Sequence, residues 1–291
     1  MARNIIAKPG SGVLRILACL VAANLTAPPA SADEAALAEA IWQADQAGGQ
    51  TPRVSVLDPQ TDLDGAYRVQ RILVDRKLAR GDAIAGYKNG LTGKLARWWF
   101  GIEDPVFGVI PASGLRRSGD VIAEPPGRHM LLETEIALVA GVRIDGPVKD
   151  IAALEPLIRG VAPVIEAPAG GFPEDQARKL TVTDIVANNV SAHILIVGDE
   201  RPVEDLNLKK LTATLSRAGR QLSKGTGADA MGDPWLSALW LVNVAVKQGR
   251  VIEPGHYLST GVIGERVESE PGHYVAAFGE LGTIAFEVSA K

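Results

Sequence analysis

The sequence predicts an α+β protein, a strand-rich mixed domain preceded by helices. Three observations predict it. Two helical patterns open the chain after residue 32, short apolar runs punctuated by Gly and Pro follow from Ile84 onward, and only two further helical stretches interrupt those runs.

Asp33 is placed as a helix N-cap, and Ala36, Leu37, Ala40, Ile41 and Ala44 recur at helical spacing up to a stop at Gly48-Gly49. A second helix starts near Asp62 to Asp64 and runs through Tyr67, Ile72, Val74 and Leu78 to Gly81, with Arg68, Arg71, Asp75 and Arg76 on its charged face. Strands are expected at Val106 to Pro111, Leu131 to Ala140, Val161 to Ile165, Val190 to Val197, Leu211 to Leu215 and within Tyr274 to Val288. The interrupting helices are Asp150 to Arg159 and Pro234 to Gln248, the second with Pro at its first position and Gly249 at its end. No repeat or low-complexity linker divides the chain. The economical division is a helical arm over residues 33–82 and one strand-rich domain over 83–291.

Residues 1–32 read as a secretory signal peptide. Arg3, Lys8 and Arg15 are basic, Ile16 to Leu25 is mostly apolar, and Ala30-Ser31-Ala32 has the small-x-small form of a cleavage site. The apolar run is about ten residues, short of the roughly 20 that span a bilayer. Cleavage near Ala32 therefore predicts an exported, periplasmic protein with no stable membrane insertion afterwards.

The chain has 291 residues, 46% hydrophobic and 22% charged, the profile of a folded globular protein. Its net charge of −4, without long single-sign runs, gives no footprint for nucleic acid. Cys19 is the only cysteine and lies in the leader, so a disulfide scaffold, a thiolate metal site and a cysteine nucleophile are excluded. The four histidines show no HExxH or paired spacing, and Ser191 and Ser259 lack a GxSxG elbow. His193 reads as a satisfied core histidine, and Trp98-Trp99-Phe100 as core packing, a pocket wall or a subunit interface.

The segment Leu131 to Val142 carries the chemistry. Side chains alternate along a strand, so Glu133 and Glu135 share one face of an otherwise apolar run, and Glu166 ends a second apolar run, Val161 to Ile165. Three carboxylates converging from strands suit a hard divalent cation. The alternative is a solvated strand face, with Thr134, Ile136 and Leu138 buried instead. The stretch from Gly86 to Gly93 reads as a Gly-rich turn that offers Lys88 and Thr92 to a ligand, or simply as a turn with an exposed lysine. It meets neither phosphate-loop spacing.

Taken together, GYKNGLTG at 86–93, FGVI at 107–110, ETEIALV at 133–139, PVIEAP at 163–168, DIVANNVSAHILIVG at 184–198 and GDPWLSALWLVN at 232–243 resemble the fumarylacetoacetate hydrolase superfamily. Within it they resemble the 2-keto-4-pentenoate hydratase and 4-oxalocrotonate decarboxylase branch. The resemblance covers nearly all of residues 33–291. It implies a mixed β-roll of that superfamily's C-terminal-domain type with an N-terminal helical region, a homo-oligomer, and a role in aromatic catabolism. It further implies Glu133, Glu135 and Glu166 as ligands of Mg²⁺ or Mn²⁺, Lys88 as catalytic cation, and Lys88, Leu91 and Thr92 as contacts of a small 2-oxo or 2-hydroxy acid. A substrate chelated by such a metal gains an electron sink that serves hydration and decarboxylation alike.

The chain departs from the family's pattern where Val106 precedes Phe107-Gly108, a place where many hydratase relatives carry a proton-transferring Asp. Valine cannot move a proton. It also reads Ala187-Asn188-Asn189 for ADN and Gly232-Asp233-Pro234 for GHP, with Glu103 and Asp104 as nearby acids. A metal-dependent hydratase is the main expectation. The alternatives are a decarboxylase or carbon–carbon hydrolase of the same superfamily, and an exported binding protein that has lost catalysis.

Overall fold

The computed structural model describes residues 32–174, 179–204 and 206–290. The leader and its cleavage site fall almost wholly outside the described residues. The chain begins with helices α1 (Ala32–Gln46), α2 (Val54–Leu57) and α3 (Leu63–Ala79). Asp62 caps α3 by accepting from the Gly65 amide, as a carboxylate at an N-cap should. Asp33 instead lies inside the first turn of α1.

Strands β1 (Ile84–Gly90), β2 (Val106–Pro111), β3 (Leu115–Arg117) and β4 (Val121–Ile122) follow, with helix α4 (Lys94–Phe100) between the first two. Then come β5 (His129–Ala140), α5 (Ile151–Leu154), β6 (Ile158–Ala167), β7 (Ala169–Gly170), α6 (Val182–Ala187), β8 (Ile194–Val197), β9 (Thr212–Arg217) and β10 (Arg220–Thr226). The chain closes with α7 (Pro234–Lys247), β11 (Tyr257–Ser259), β12 (Val267–Glu268), β13 (Gly272–Ala277) and β14 (Thr283–Val288).

One sheet has the order β2-β1-β11-β5-β6-β8-β3, with β7 and β12 paired to β5. Its two edge strands, β2 and β3, are consecutive in the chain and separated only by Ala112–Gly114. A sheet whose opposite edges are joined by three residues must curl until they meet. At that corner a Cβ on Gly114 would lie 2.1 Å from the His193 carbonyl oxygen, so only glycine closes the roll there. The inside of the roll is filled by Ala85, Ile110, Ala137, Ala162, Val164, Leu195 and Val197. A second sheet, β10-β9-β13-β14-β4, packs into the larger core outside the roll.

The helical arm joins that larger core. Tyr67 of α3 packs against Phe107 of β2 with ring centroids 5.9 Å apart and tilted by 38°, and Gln70 donates to the carbonyls of Phe107 and Val186 at 2.9 and 3.1 Å. Arg53 pairs with the buried Asp184 of α6 at 3.4 Å. Helix α7 takes Pro at its first turn and Asp233 as its cap, and its Ser237 binds the Asn89 side chain of β1.

Several expectations are corrected. The glycines at 86 and 90 lie in strand β1, so the turn is only residues 91–93. Val190 belongs to a loop, and β8 starts four residues later. The stretch from Asp150 holds a single turn of α-helix before β6 begins at Ile158. Helix α4 buries none of its residues, with Trp98 and Trp99 at 73% and 63% exposure, which excludes core packing for that aromatic cluster.

Candidate functional site

The β5–β6 register sets Glu133 directly opposite Glu166, with Glu135 opposite Val164, so all three carboxylates lie on one face, inside the curled sheet. Their oxygens lie within 4.8 Å of one another. Glu135 and Glu166 are buried, at 0% and 2% exposure, and Glu133 is half-buried at the mouth. The solvated-face alternative is thereby excluded, since both faces of β5 are covered.

Burial pushes Glu133 up to about 7, with the Glu166 charge adding to it. Burial, then Glu166 and Glu133, holds Glu135 well above the usual carboxylate range, and burial raises Glu166 as well. Like charges this close inside a protein need a counter-charge. Part of it is Lys88. Its ammonium, on the same inner face, is 3% exposed, pairs with Glu166 and donates to the Val190 carbonyl at 3.1 Å. Burial alone would pull this lysine down, but the attraction of Glu166, Glu133 and Glu135 outweighs it and holds Lys88 charged.

One ammonium cannot serve three carboxylates. Oε1 of Glu135 and Oε2 of Glu166 are buried without a hydrogen-bond partner, while Oε2 of Glu135 accepts from the Ser259 hydroxyl at 2.6 Å and the Gly261 amide at 2.9 Å. Paired oxygens hold the side chain in place, and the orphaned ones are the kind of oxygen ligand that a hard cation takes. Three oxygen donors of this chemistry fit a hard divalent cation of the Mg²⁺, Ca²⁺ or Mn²⁺ kind.

The other expected residues are placed less directly. Thr92 is buried against Gly261, the residue that holds Glu135. Leu91 is half-buried in the turn at φ +56° and packs on the core. Glu103 and Asp104 are exposed on the turn before β2 and do not enter the carboxylate cluster. Val106 is buried on the same strand face as Lys88. A Cβ on Gly90 would meet Val190 at 2.4 Å and Val106 at 3.2 Å, so these two valines line the wall beyond the lysine.

The loop carrying Val190 has no sequence signal. Asn189, Val190 and Ser191 all take left-handed φ, at 51°, 51° and 55°, a strained run for non-glycine residues and most of all for a β-branched valine. Asn189 holds it down. Its side-chain amide accepts from the Val109 amide and donates to the Val109 carbonyl, both at 2.8 Å, imitating a neighbouring strand. Ser259 and Gly261 were equally invisible, because a hydroxyl and an amide two residues apart form no motif.

Fold and site together define a class, a mixed β-roll whose inner face gathers carboxylates for a divalent cation. The chain belongs to the 2-keto-4-pentenoate hydratase and 4-oxalocrotonate decarboxylase branch of the fumarylacetoacetate hydrolase superfamily. It is 30% identical over 231 residues to the TodF product hydratase of Pseudomonas putida F1, covering 79% of this chain and 85% of that one. It is 29% identical to the 4-oxalocrotonate decarboxylase of Pseudomonas sp. CF600, covering 81% and 89%. Among solved structures, the 4-oxalocrotonate decarboxylase of Pseudomonas putida G7 complexed with magnesium and adipate superposes with a TM-score of 0.80 at 27% identity, over 88% of this chain and 97% of that one. No family model matches the chain.

Proposed function

We propose that the protein is a divalent-metal-dependent lyase of the 2-keto-4-pentenoate hydratase type, acting on a small 2-oxo or 2-hydroxy acid. The observation that carries this reading is the trio Glu133, Glu135 and Glu166, the last two buried, with two unpartnered oxygens beside one buried ammonium. The trio would hold Mg²⁺ or Mn²⁺, which supplies a Lewis acid for the substrate's carboxylate and adjacent oxygen. Lys88 orients the substrate carboxylate and keeps a proton at Nζ within the site. Ser259 and Gly261 fix Glu135, and Leu91 and Thr92 border the substrate on the turn behind Lys88. The named relatives, hydratases and decarboxylases, support the reaction class.

Incubation of the purified protein with 2-hydroxypenta-2,4-dienoate and Mg²⁺ or Mn²⁺ is expected to consume the dienol and add water, and Glu133→Ala is expected to lose both metal and turnover. Undiminished turnover in that variant would overturn the assignment. A decarboxylase is the second reading, favoured by the apolar Val106–Val190 wall beside Lys88, which offers no acid to activate water. Carbon dioxide release from a 2-oxo dicarboxylate in place of hydration would identify it. A binding protein would retain ligand and metal without either product.

We infer export from the basic, apolar and small-x-small pattern of residues 1–32. N-terminal sequencing should find the chain starting near Asp33 in the periplasmic fraction, and an intact Met1 would refute it.

A further inference from the structure

A second polar site lies between the helical arm and the strained loop. There α1, α3 and residues 188–192 enclose a cavity of about 40 Å³ whose wall includes Trp42, Asp45, Lys77, Arg128, Asn188 and Ser191. It shares no lining residue with the carboxylate trio or Lys88. Asn188 is 9% exposed, and its Nδ2 is buried without an acceptor, an arrangement that is costly unless something fills it.

The charges around that donor do not balance. Arg128 is paired with Asp45 at 2.7 Å, whereas Lys77 has no acidic partner within ion-pair distance among the described residues. Two cations therefore face one anion. His193, just past the loop, reports the same field: burial first, then Arg128, Lys77 and Arg116, pushes its imidazole down to about 4. Trp42, Asp45 and Lys77 also line a wider open groove that includes Arg80 and Asp82, so the cavity is reached from solvent through a groove in which two cations meet two anions.

We propose that this cavity binds a small monovalent anion, a halide or a carboxylate of one or two carbons, between the Asn188 amide, the Ser191 hydroxyl and the Lys77 ammonium. The size sets the class. At roughly 10–15 Å³ per water-sized occupant, the cavity holds about three such centres, enough for chloride, formate or acetate and too few for a five-carbon 2-oxo acid. An asparagine at 188 is what permits it, because an aspartate there would itself neutralise the cations.

The test needs no turnover, so its outcome is separate from that of the lyase reading. Thermal midpoints of the full chain are measured in chloride, formate or acetate, each at a constant ionic strength balanced with gluconate, an anion too large for the cavity. A bound anion at a hundredfold excess over its Kd should raise the midpoint by roughly 3 °C or more above gluconate alone. Whichever of the three acts tells halide from carboxylate. Both Asn188→Asp, which places a negative charge at the site, and Lys77→Gln, which removes the cation without adding one, should abolish the shift. Bromide-soaked crystals should show an anomalous peak beside Asn188 Nδ2. Equal midpoints in every salt, a shift that survives both variants, or only water in the cavity would overturn the proposal.

Discussion

Ser259 gives Glu135 one satisfied oxygen, and with Gly261 it decides which oxygen faces the cluster. Groups that orient a metal ligand are worth about 10–100-fold in metal affinity when removed. Ser259→Ala is therefore expected to weaken Mn²⁺ binding by that order in a calorimetric titration while the far-ultraviolet spectrum stays unchanged. Unaltered affinity would show that Gly261 suffices. Lys88→Met separates two roles in the same experiment, keeping metal binding and losing affinity for the 2-oxo acid. The carboxylates themselves were legible, because a strand's alternation puts Glu133 and Glu135 on one face whatever the fold. Their burial was not legible. The pattern that announces a half-exposed strand also fits one whose second face lines a roll, and only the closure of β2 onto β3 distinguishes the two.

At the scale of elements, the loop from Asn188 to Ala192 couples backbone strain to the site. Three consecutive left-handed residues hold the Val190 carbonyl against Lys88, and Asn189 is the side chain that ties them to β2. Asn189→Ala removes two hydrogen bonds to a strand and leaves the strained run without an anchor. We expect a loss of about 1–3 kcal/mol in urea unfolding, together with a weakened contact between Lys88 and Val190. A stability within 0.5 kcal/mol of the parent, roughly the scatter of neutral surface changes, would deny the anchoring role. The apolar run through Val190 predicts a strand because periodicity cannot register three φ reversals. Strand β1 was hidden for the opposite reason. Its glycines read as a turn, yet Gly90 is there to admit Val190 across a sheet, a long-range contact invisible to local pattern.

At the scale of the molecule, arm and roll share one core, since Leu37, Ile41 and Trp42 of α1 cluster with the strands of both sheets. Unfolding by urea should therefore be a single transition by tryptophan fluorescence and circular dichroism, and two separated transitions would show the arm to be an independent unit. The dependence of that stability on pH carries opposing contributions, from the raised carboxylates on one side and the lowered His193 on the other. Without metal, Glu133 has a folded value of about 7 against an unfolded one near 4.5, so its contribution is lost as pH rises through that interval. His193 works in the other direction. Burial and the neighbouring Arg128 and Lys77 hold it at about 4, against 6.5 when unfolded, so below pH 6.5 the unfolded chain takes up a proton that the folded chain refuses. Its contribution is complete above pH 6.5 and is lost as pH falls toward 4, up to about 3 kcal/mol at 1.36 kcal/mol per unit. Glu133 titrates identically with and without His193, so comparing parent with His193→Gln isolates the histidine. The difference between the two stability curves should be flat above pH 6.5 and should change by about that amount between 6.5 and 4. A difference that stays constant across the whole range would mean that His193 is as free to protonate in the folded roll as in water, and that the cations around it do not set its charge.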